Sequence, residues 1–597
     1  MTPAPAAAAS RASSRPSRLQ LALCSWEIGR AASGLGVKIG GLGHVVEELP
    51  GELVLAGARA GIDLEVTLLS PCFGHYDRSK LTRLPLQVPA TVDGERVELE
   101  VYEHRFHQDL RMPDGSARSV VLRAVYFWHQ GLLSWTHARA VYPSEPARGL
   151  QLYSAISAAM AGYIDRSDFQ TVHLHDYHVG LVPFFLPEQR LRRLPVHLTI
   201  HNGAYQGVTP APEGGAAALE AIGLPGAELF GRYFDFFGAV NPLRAALLRI
   251  PELGGRVTTV SGDLQASWGY AAELRETEEQ LTARATAQLG RAPAQLYLPN
   301  QHLDVFEQIP IAGITNGLGE RSRAAVMPEL SATALRALQA RQPLQPLFRH
   351  PRVQLEMLWR DHRFDEHRLE IKQELRRLLH LEAFGVELPE ARPHQPGAAI
   401  FSAVGRLVLQ KNFGLIADVV PRVLAADPLA RFVVVAKAEE GDAEGARQEA
   451  RFRELAALHP GRVRFDDSFN PVLARLVTAG SDFALIPSRF EPCGLTDWEA
   501  ALVGTLPICR ATGGLTKIRH CGWLYEWFDL GDWWGEVDAF FAVIRAALGV
   551  FRKEPEEHLR RMQAGLRTDT SWDASALQYL ELYLAALAPP SAERASA

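Results

Sequence analysis

The sequence 487-PSRFEPCGLTDWE-499 joins a predicted strand to a predicted helix. Residues 481–487 form a short apolar run, typical of a buried parallel strand, and residues 496–503 favour a helix. A strand, a turn containing Pro and Gly, and a helix place a ligand at the carboxyl end of a parallel sheet. The alternative is an ordinary α/β crossover in which Glu491 and Glu499 are solvated.

Length and charge restrict the classes of protein to consider. A chain of 597 residues predicts two domains. A net charge of −6 gives no long-range attraction to nucleic acid or to an anionic membrane. No apolar run approaches the length of a membrane span. We therefore expect neither nucleic acid nor a membrane as a partner, and any phosphate affinity must come from a local site.

The termini and the cysteines suggest where the protein resides. Residues 1–18 are rich in Ala, Ser, Pro and Arg and contain no acidic residue. We expect a disordered tail there, with a transit peptide as the alternative. The last residues, 589–597, are also predicted to be disordered. Five scattered cysteines without metal-like spacing predict reduced thiols. The expected location is the cytoplasm, or a plastid if the tail is a transit peptide.

Glycine-rich and polar turns recur after predicted strands. Lys38-Ile-Gly40-Gly41 follows the apolar run 19–26 and precedes a helical pattern. Backbone N–H groups of such a loop can bind a diphosphate at a helix N-terminus, and Lys38 adds charge. Further strand-to-turn transitions occur at 171–178 and 198–207. The histidines within 171–178 alternate along a strand with no ligand cluster nearby, so we predict no metal site there.

In chain order, these motifs resemble those of the glycogen/starch synthase family of retaining GT-B glycosyltransferases. The resemblance rests on KIGGL (38–42), HDYH (175–178), TIHNGAYQG (199–207), RLVLQK (406–411) and PSRFEPCGLT followed by GTLPICRATGGL (487–515). It covers residues 20–260 and 395–585. It implies an α/β fold in which two Rossmann-like domains face a central cleft, the GT-B architecture.

The resemblance also implies substrates and site residues. It implies transfer of glucose from ADP-glucose, or from UDP-glucose as second choice, to the non-reducing end of an α-1,4-glucan with retention. No metal or cofactor is expected, and no oligomeric state is predicted. The implied catalytic residues are Asp176, His201, Arg406, Lys411 and Glu491; the donor-binding residues are Lys38, Gly40, Gly41, Asn241, Glu499, Thr512, Gly513, Gly514 and Leu515; and the acceptor-binding residues are Tyr177, His178 and Tyr205.

Three departures from the family pattern keep alternatives open. Tyr177 replaces a Trp, and we expect little effect on sugar binding because either ring can lie against a sugar. Gly319 stands where an Asp is usual, and Glu499 is a second glutamate that bacterial and plant synthases usually lack. The alternatives are a transferase acting on a small sugar or sugar-phosphate acceptor, and a non-catalytic glucan-binding homologue.

The predicted domains follow the resemblance and the hydrophobic pattern. The N-terminal domain spans 19–262, a linker with insertions and the start of the C-terminal domain span 263–395, and the C-terminal domain spans 396–570. A last helix at 571–588 crosses back to the N-terminal domain. The pattern predicts an antiparallel excursion within 85–130, helices at 148–164 and 274–289, and strands at 64–69, 256–261, 399–404, 431–436 and 461–465.

Overall fold

The computed structural model describes residues 16–29, 34–111, 117–298, 305–319, 366–385, 397–439, 441–468 and 470–588. Strands alternate with helices throughout these segments. The strands are β1 (Arg18–Ser25), β2 (Asp63–Pro71), β3 (Thr82–Val92), β4 (Glu95–Arg111), β5 (Ala117–Trp128), β6 (Thr171–His175), β7 (Val196–Ile200), β8 (Asp235–Phe236), β9 (Ala239–Val240), β10 (Val257–Thr259), β11 (Ile311–Gly313), β12 (Ile400–Arg406), β13 (Arg431–Lys437), β14 (Val463–Asp466), β15 (Phe483–Ile486), β16 (Leu506–Arg510) and β17 (Trp523–Tyr525).

The helices flank the sheets and vary widely in length. They are α1 (Gly41–Arg59), α2 (Gln130–Leu133), α3 (Pro146–Asp165), α4 (Val182–Phe185), α5 (Glu188–Leu191), α6 (Gly215–Ala221), α7 (Gly226–Leu229), α8 (Pro242–Glu252), α9 (Gly269–Arg275), α10 (Glu278–Leu289), α11 (Val305–Gln308), α12 (Glu366–Phe384), α13 (Phe413–Ala426), α14 (Ala443–Leu458), α15 (Pro471–Gly480), α16 (Thr496–Ala501), α17 (Trp533–Lys553), α18 (Pro555–Leu566) and α19 (Asp573–Leu587).

The first sheet has nine strands in the order β11-β10-β7-β6-β1-β2-β5-β4-β3. Its strands from β11 to β5 are parallel, whereas β5, β4 and β3 pair antiparallel. The central strands are buried along almost their whole length, as expected of a parallel sheet covered on both faces. The predicted antiparallel excursion is therefore confirmed as the β3–β5 meander.

The second sheet has six parallel strands in the order β14-β13-β12-β15-β16-β17. Its apolar core is built from alternate residues of β12, β13 and β15 together with the inner faces of α13 and α17. The strands predicted at 399–404, 431–436 and 461–465 are confirmed as β12, β13 and β14. Two parallel sheets with flanking helices confirm the predicted α/β class.

The strand orders identify where a ligand can bind. In the first sheet, β2 lies on one side of β1, and the chain later returns to place β6 on the other side of β1. In the second sheet the same reversal separates β12 from β15. A crevice opens outside the carboxyl ends of the strands at such a switch point, and ligands of open α/β sheets bind there. The turns after β1, β6, β12 and β15 carry most of the predicted site residues.

Two sequence predictions differ from the structure. The single helix predicted at 274–289 is two helices, because Thr277 begins α10 with a capping box to Gln280. Strand β11 pairs with β10 at the edge of the first sheet. The N-terminal sheet therefore extends to Gly313 rather than ending at residue 262, since the chain returns after α9 and α10 to add a strand.

Helix α19, the last described helix, packs onto the first domain. Its buried side chains pack with those of α1 in the first core, and Arg59 Nη1 lies 2.9 Å from Asp573 Oδ1. The predicted crossing back is thus confirmed. Within the described segments, no helix is long and apolar enough to cross a membrane. The predictions for residues 1–15 and 589–597, and for most of 320–396, lie outside the described residues.

Candidate active site

The glycine loop of the first domain is held by a buried carboxylate. Glu27 follows β1 and has an exposed fraction of only 2%. Its Oε2 accepts hydrogen bonds from the backbone N–H of Ile39 at 2.8 Å and of Gly40 at 3.4 Å, and its Oε1 accepts one from the Tyr142 hydroxyl. Burial raises the pKa of Glu27, against these hydrogen bonds. The loop shape is therefore set from within the domain.

The front of the same loop is open. A side chain built on Gly40 or Gly41 would meet no atom within 4 Å, so a ligand can approach the backbone there. Helix α1 begins at Gly41 and directs its N-terminus toward this space. Lys38 Nζ donates to His44 Nδ1 at 2.8 Å and lies 3.6 Å from Glu47 Oε2. The three predicted donor-binding residues of this loop thus lie together at one edge of the cleft.

Asp176 and His201 meet at the ends of β6 and β7. The backbone N–H of His201 donates to Asp176 Oδ1 at 2.7 Å. Asp176 has a φ of +63°, a left-handed conformation that is strained for a residue other than glycine. Burial raises the pKa of Asp176 to about 7 and lowers the pKa of His201 to about 3. The imidazole of His201 is consequently neutral at physiological pH.

A buried polar network supports His201 from behind. His201 Nε2 lies 2.8 Å from His175 Nδ1, so one ring donates to the other. The His173 ring is 4.3 Å from that of His175, and its Nδ1 is 2.7 Å from the hydroxyl of Tyr583 on α19. The network thus links the cleft to the last helix. His173 and His175 are therefore structural residues. The described part of the chain contains no group of three or more side chains suited to a metal ion.

The predicted cations of the second domain each have a carboxylate partner. Lys411 Nζ donates to Glu491 Oε2 at 2.5 Å, and Ser488 Oγ donates to the same oxygen at 3.1 Å. The other oxygen of Glu491 makes no hydrogen bond to another described residue. Arg406 instead pairs with Glu439 at 2.5 Å, and both side chains are more than half exposed. The structure therefore joins Lys411 to Glu491 at the cleft and leaves Arg406 at its rim.

The second glycine turn, Thr512-Gly513-Gly514-Leu515, is held from two sides. Gly514 N–H donates to the Glu491 carbonyl at 2.9 Å. Thr512 Oγ1 donates at 2.7 Å to Glu273 Oε1, whereas the buried Oε2 of Glu273 has no hydrogen-bond partner among the described residues. Glu273 lies on α9 of the first domain, and burial raises its pKa to about 7. This turn is thus fixed by a contact between the two domains.

A buried lysine fixes the segment before that turn. Lys517 Nζ donates to the carbonyls of Cys493 at 2.7 Å, Gly494 at 2.5 Å and Gly514 at 3.0 Å. It also lies 2.6 Å from Asp497 Oδ2, and the two side chains are almost completely buried. Desolvation raises the pKa of Asp497 to about 6 despite the lysine charge. Lys517 therefore holds the Glu491 segment and the glycine turn in one arrangement.

Glu499 faces a small cavity beside Lys411. The cavity of about 60 Å³ is lined by both residues together with Ser402, Phe413 and Ser488. Burial raises the pKa of Glu499, while the charges of Lys38 and Lys411 lower it. Ser261 Oγ donates to the Pro492 carbonyl and directly joins the two domains.

The predicted acceptor residues divide between a groove and the core. Tyr177 and Tyr205 line a groove of about 380 Å³ in the first domain. His178 is buried behind Tyr177, with 3.9 Å between their ring centroids, so its ring lies outside this groove. The prediction of direct acceptor contact by His178 does not agree with that position. The reason is that it belongs to a buried aromatic cluster with Trp26, Tyr142 and Tyr153.

Asn241, a predicted donor-binding residue, is also fully buried. Its Oδ1 accepts from Arg244 N–H at 3.0 Å and thereby caps α8. Its Nδ2 donates to Gln206 Oε1 at 2.9 Å. These contacts do not agree with direct donor contact. They give Asn241 a positioning role, because Gln206 lies in the groove lined by Tyr177 and Tyr205.

A buried carboxylate, Glu48, lies beside Gly319, where the resemblance predicts an Asp. Glu48 Oε2 accepts from Gly319 N–H at 2.7 Å and from Trp572 Nε1 at 2.9 Å. A side chain at Gly319 would come within 2.9 Å of the Glu48 carboxyl. Glu48 therefore occupies the space beside Gly319 and joins α1 to the start of α19.

Three residues of this site were missed by sequence reasoning. Glu27 had a weak signal, since it is an acidic residue directly after a predicted strand and shortly before the glycine loop. Glu273 and Lys517 had none that a local pattern could supply. Their partners are set by the docking of α9 against the second domain and by the path of the turn after β16.

Comparison with known proteins agrees with this arrangement. A family model described as the starch synthase catalytic domain matches residues 21–281. A glycogen synthase of Albidiferax ferrireducens is 30% identical over 422 residues, which are 69% of this chain and 69% of the relative. A glycogen synthase of Rhodospirillum rubrum is 27% identical over 566 residues, covering 92% of this chain and 95% of the relative.

Solved structures agree on the fold. The catalytic domain of starch synthase IV from Arabidopsis thaliana, bound to ADP and acarbose, superposes with a TM-score of 0.65 at 21% identity, and the match covers 95% of this chain and 99% of that one. That likeness shows the two-domain GT-B fold. Together with the glycogen synthase relatives, it establishes that this chain belongs to the glycogen/starch synthase family of glycosyltransferases.

Proposed function

We propose that this protein transfers glucose from a nucleotide sugar to the 4-hydroxyl at the non-reducing end of an α-1,4-glucan, with retention of configuration. The observation that supports this proposal most is the position of the Glu491 carboxylate. Lys411 and Ser488 hold one of its oxygens at the carboxyl end of β15. The free oxygen is suited to accept hydrogen bonds from sugar hydroxyls.

The leaving group requires positive charge and N–H donors. A nucleoside diphosphate gains negative charge as the glycosidic bond breaks, and preorganised donors in a cleft stabilise that charge. Lys38 and the start of α1 at Gly41 supply them from the first domain, and Arg406, Lys411 and the backbone N–H of Gly513 supply them from the second. The Arg406–Glu439 pair is exposed and worth at most about 1 kcal/mol, so a diphosphate can displace Glu439 from it.

The acceptor and the transferred glucose lie between the domains in this proposal. His201, neutral because of its lowered pKa, contacts the transferred glucose through its ring. Asp176 keeps the backbone of His201 in place through its carboxylate. The acceptor chain lies in the groove lined by Tyr177 and Tyr205, where ring faces can pack against sugar rings.

We propose attack from the same face as the leaving group. The acceptor O4 forms a bond to C1 of glucose while the bond from C1 to the diphosphate oxygen breaks. The proton of the 4-hydroxyl passes to that departing oxygen, so no protein carboxylate becomes glycosylated. A glycosyl–Glu491 adduct detected by mass spectrometry would contradict this mechanism.

The donor we favour is ADP-glucose, with UDP-glucose second. Glu499 lies with Lys411 at the cavity beside β12 and is our candidate for the hydroxyls of the nucleotide ribose. This role predicts that Glu499→Ala mainly raises the KM for the donor. A fall in kcat equal to that of Glu491→Ala would contradict this division of roles. We place the protein in the cytoplasm, where the five free, buried cysteines would stay reduced.

The test supplies radiolabelled ADP-glucose or UDP-glucose with glycogen and measures label in alcohol-precipitable polymer. We expect incorporation from one nucleotide sugar, and a loss of about 1,000-fold in Glu491→Gln. Glu557→Gln is the matched control, because Glu557 pairs with arginines on α18 away from the cleft. Label passed only to maltose or to a sugar phosphate would indicate a small acceptor. Glycogen binding without any transfer would indicate a non-catalytic homologue.

A further inference from the structure

A short hairpin beside the acceptor groove carries an unusually placed aromatic residue. Strands β8 and β9 are joined by Phe237 and Gly238, which have φ values of +53° and +84°. Two consecutive positive φ values are typical of a tight hairpin turn that favours Asn, Asp or Gly at its first position. Phe237 adopts this conformation at a steric cost, and its exposed fraction is 92%.

The local contacts do not account for a phenylalanine at this position. Asp235 Oδ1 accepts from Gly238 N–H at 2.9 Å and stabilises the turn without help from the Phe237 side chain. The Phe237 ring contacts that of Phe236, with 4.9 Å between centroids, and otherwise faces solvent. A strained and exposed large apolar side chain points to a binding role rather than to stability.

The hairpin is continuous with the acceptor groove. Phe236 lines the groove together with Tyr177 and Tyr205, and Tyr205 is itself 61% exposed. Thr209 and Val240 exchange two backbone hydrogen bonds of 2.8 and 2.9 Å. These bonds fix the hairpin to the segment that carries Tyr205. The aromatic rings of the groove and of the hairpin therefore form one rigid surface.

The composition of the groove indicates the chemistry of its ligand. Among the described residues that line it there is no lysine or arginine, and the one acidic residue is Glu145. A phosphorylated or strongly charged ligand would find no counter-charge there. Aromatic faces with scattered polar groups suit a neutral chain of sugars, whose C–H faces pack on rings and whose hydroxyls need hydrogen bonds.

We infer that Phe237, at the tip of the hairpin beyond the groove, forms a distal subsite that holds an α-glucan chain several sugar units away from the reacting end. The inference rests on the proposed function for the identity of the chain. Phe237 contributes to the binding of long acceptors only, because a short acceptor occupies the groove lined by Tyr177, Tyr205 and Phe236 without reaching the tip of the hairpin. The enzyme therefore prefers long chains.

The test compares Phe237→Ala with Trp534→Ala, whose tryptophan is 64% exposed at the start of α17. Electrophoresis through gels containing glycogen measures binding independently of activity. We expect Phe237→Ala to weaken glycogen binding about fivefold and to raise the KM for glycogen similarly, with transfer to maltotriose unchanged. Trp534→Ala should behave like the wild type in every assay.

A second variant separates binding from folding. Phe237→Asn places a residue that the turn favours, so the midpoint of thermal unfolding should rise while glycogen binding weakens as in Phe237→Ala. Unchanged glycogen binding in both variants would overturn the subsite. An equal loss of transfer activity with maltotriose and with glycogen would also overturn it. So would a dimer, detected by sedimentation, that Phe237→Ala dissociates while glycogen binding stays unchanged. A wild type that binds glycogen through Phe237 but transfers no glucose would refute the proposed function and retain the subsite.

Discussion

The two glycine turns of the cleft are built on the same plan but held in different ways. Each has a buried carboxylate behind it: Glu27 accepts from backbone N–H groups of the loop at 38–41, and Glu273 accepts from the Thr512 hydroxyl of the turn at 512–515. Burial raises the pKa of both carboxylates. In each case a buried acceptor fixes the turn before any ligand binds.

The difference lies in where the carboxylate comes from. Glu27 belongs to the same domain as its loop and is further fixed by Tyr142. Glu273 belongs to the first domain, whereas its partner Thr512 belongs to the second. The first turn is therefore preorganised within its domain. The second is completed by a contact from the other domain.

The largest expected effect concerns Lys517, which fixes the second turn from within its own domain. Lys517→Met leaves Asp497 buried without its cation and three carbonyls without a donor. We expect the free energy of unfolding to fall by about 4 kcal/mol, measured by urea denaturation. The double variant Lys517→Met/Asp497→Asn should be less destabilised than the single one, because the unpaired charge is gone. A loss below about 1 kcal/mol in the single variant would refute this role.

Removing the carboxylate that holds the loop at 38–41 should have the next largest effect on stability. Glu27→Ala leaves the N–H groups of Ile39 and Gly40 and the Tyr142 hydroxyl without an acceptor. We expect a loss of about 3 kcal/mol in the free energy of unfolding, with glucose transfer reduced at least about 100-fold. Glu27→Gln keeps one acceptor oxygen and should retain part of both. If Glu27→Ala were as stable and active as the wild type, the loop would not depend on this carboxylate.

Weakening the contact between Glu273 and Thr512 should mainly weaken the binding of the nucleotide sugar. In Glu273→Gln the amide oxygen still accepts from the Thr512 hydroxyl, but it is a weaker acceptor than a carboxylate. We expect the KM for the nucleotide sugar to rise about tenfold, with stability changed by about 1 kcal/mol or less. Thr512→Val removes the partner from the other side and should give a similar rise. A lower kcat with an unchanged KM would show that the contact does not act on donor binding.

The smallest expected effect is a pH dependence of stability that comes from Glu273 behind the second turn. The pKa of Glu273 is raised to about 7 in the folded protein, so the folded state binds more protons than the unfolded state between about pH 4.5 and 7. Its contribution to stability is therefore present at low pH and lost as pH rises through 7.

Comparing the unfolding free energy of the wild type with that of Glu273→Gln isolates the contribution of Glu273. Asp176, with a pKa of about 7, adds a slope of the same sign to the wild-type curve. The difference in unfolding free energy between the wild type and Glu273→Gln, measured from pH 5 to 8, removes the part due to Asp176. We expect this difference to change across the range. A constant difference would mean that Glu273 does not titrate there.

The sequence predicted what is local and missed what depends on packing. The strands, the polar turns after them and the glycine motifs were predicted, because apolar runs and turn residues carry that information within a few positions. The contacts of Glu273 and Lys517 were not, since they join residues whose neighbours are decided by domain docking and by the turn after β16. His178 and Asn241 look functional within their motifs, yet both are buried, and burial is set by elements distant in the chain.

The most direct test of the account is whether both domains bind one diphosphate. Isothermal titration calorimetry would measure the binding of ADP and of UDP to the wild type, Lys38→Met and Arg406→Met. We expect one nucleotide to bind the wild type better, and each variant to lose at least about tenfold in affinity for it, because each removes a cation from an opposite side of the cleft. Unchanged affinity in Lys38→Met would contradict the claim that the glycine loop of the first domain contributes to the diphosphate site.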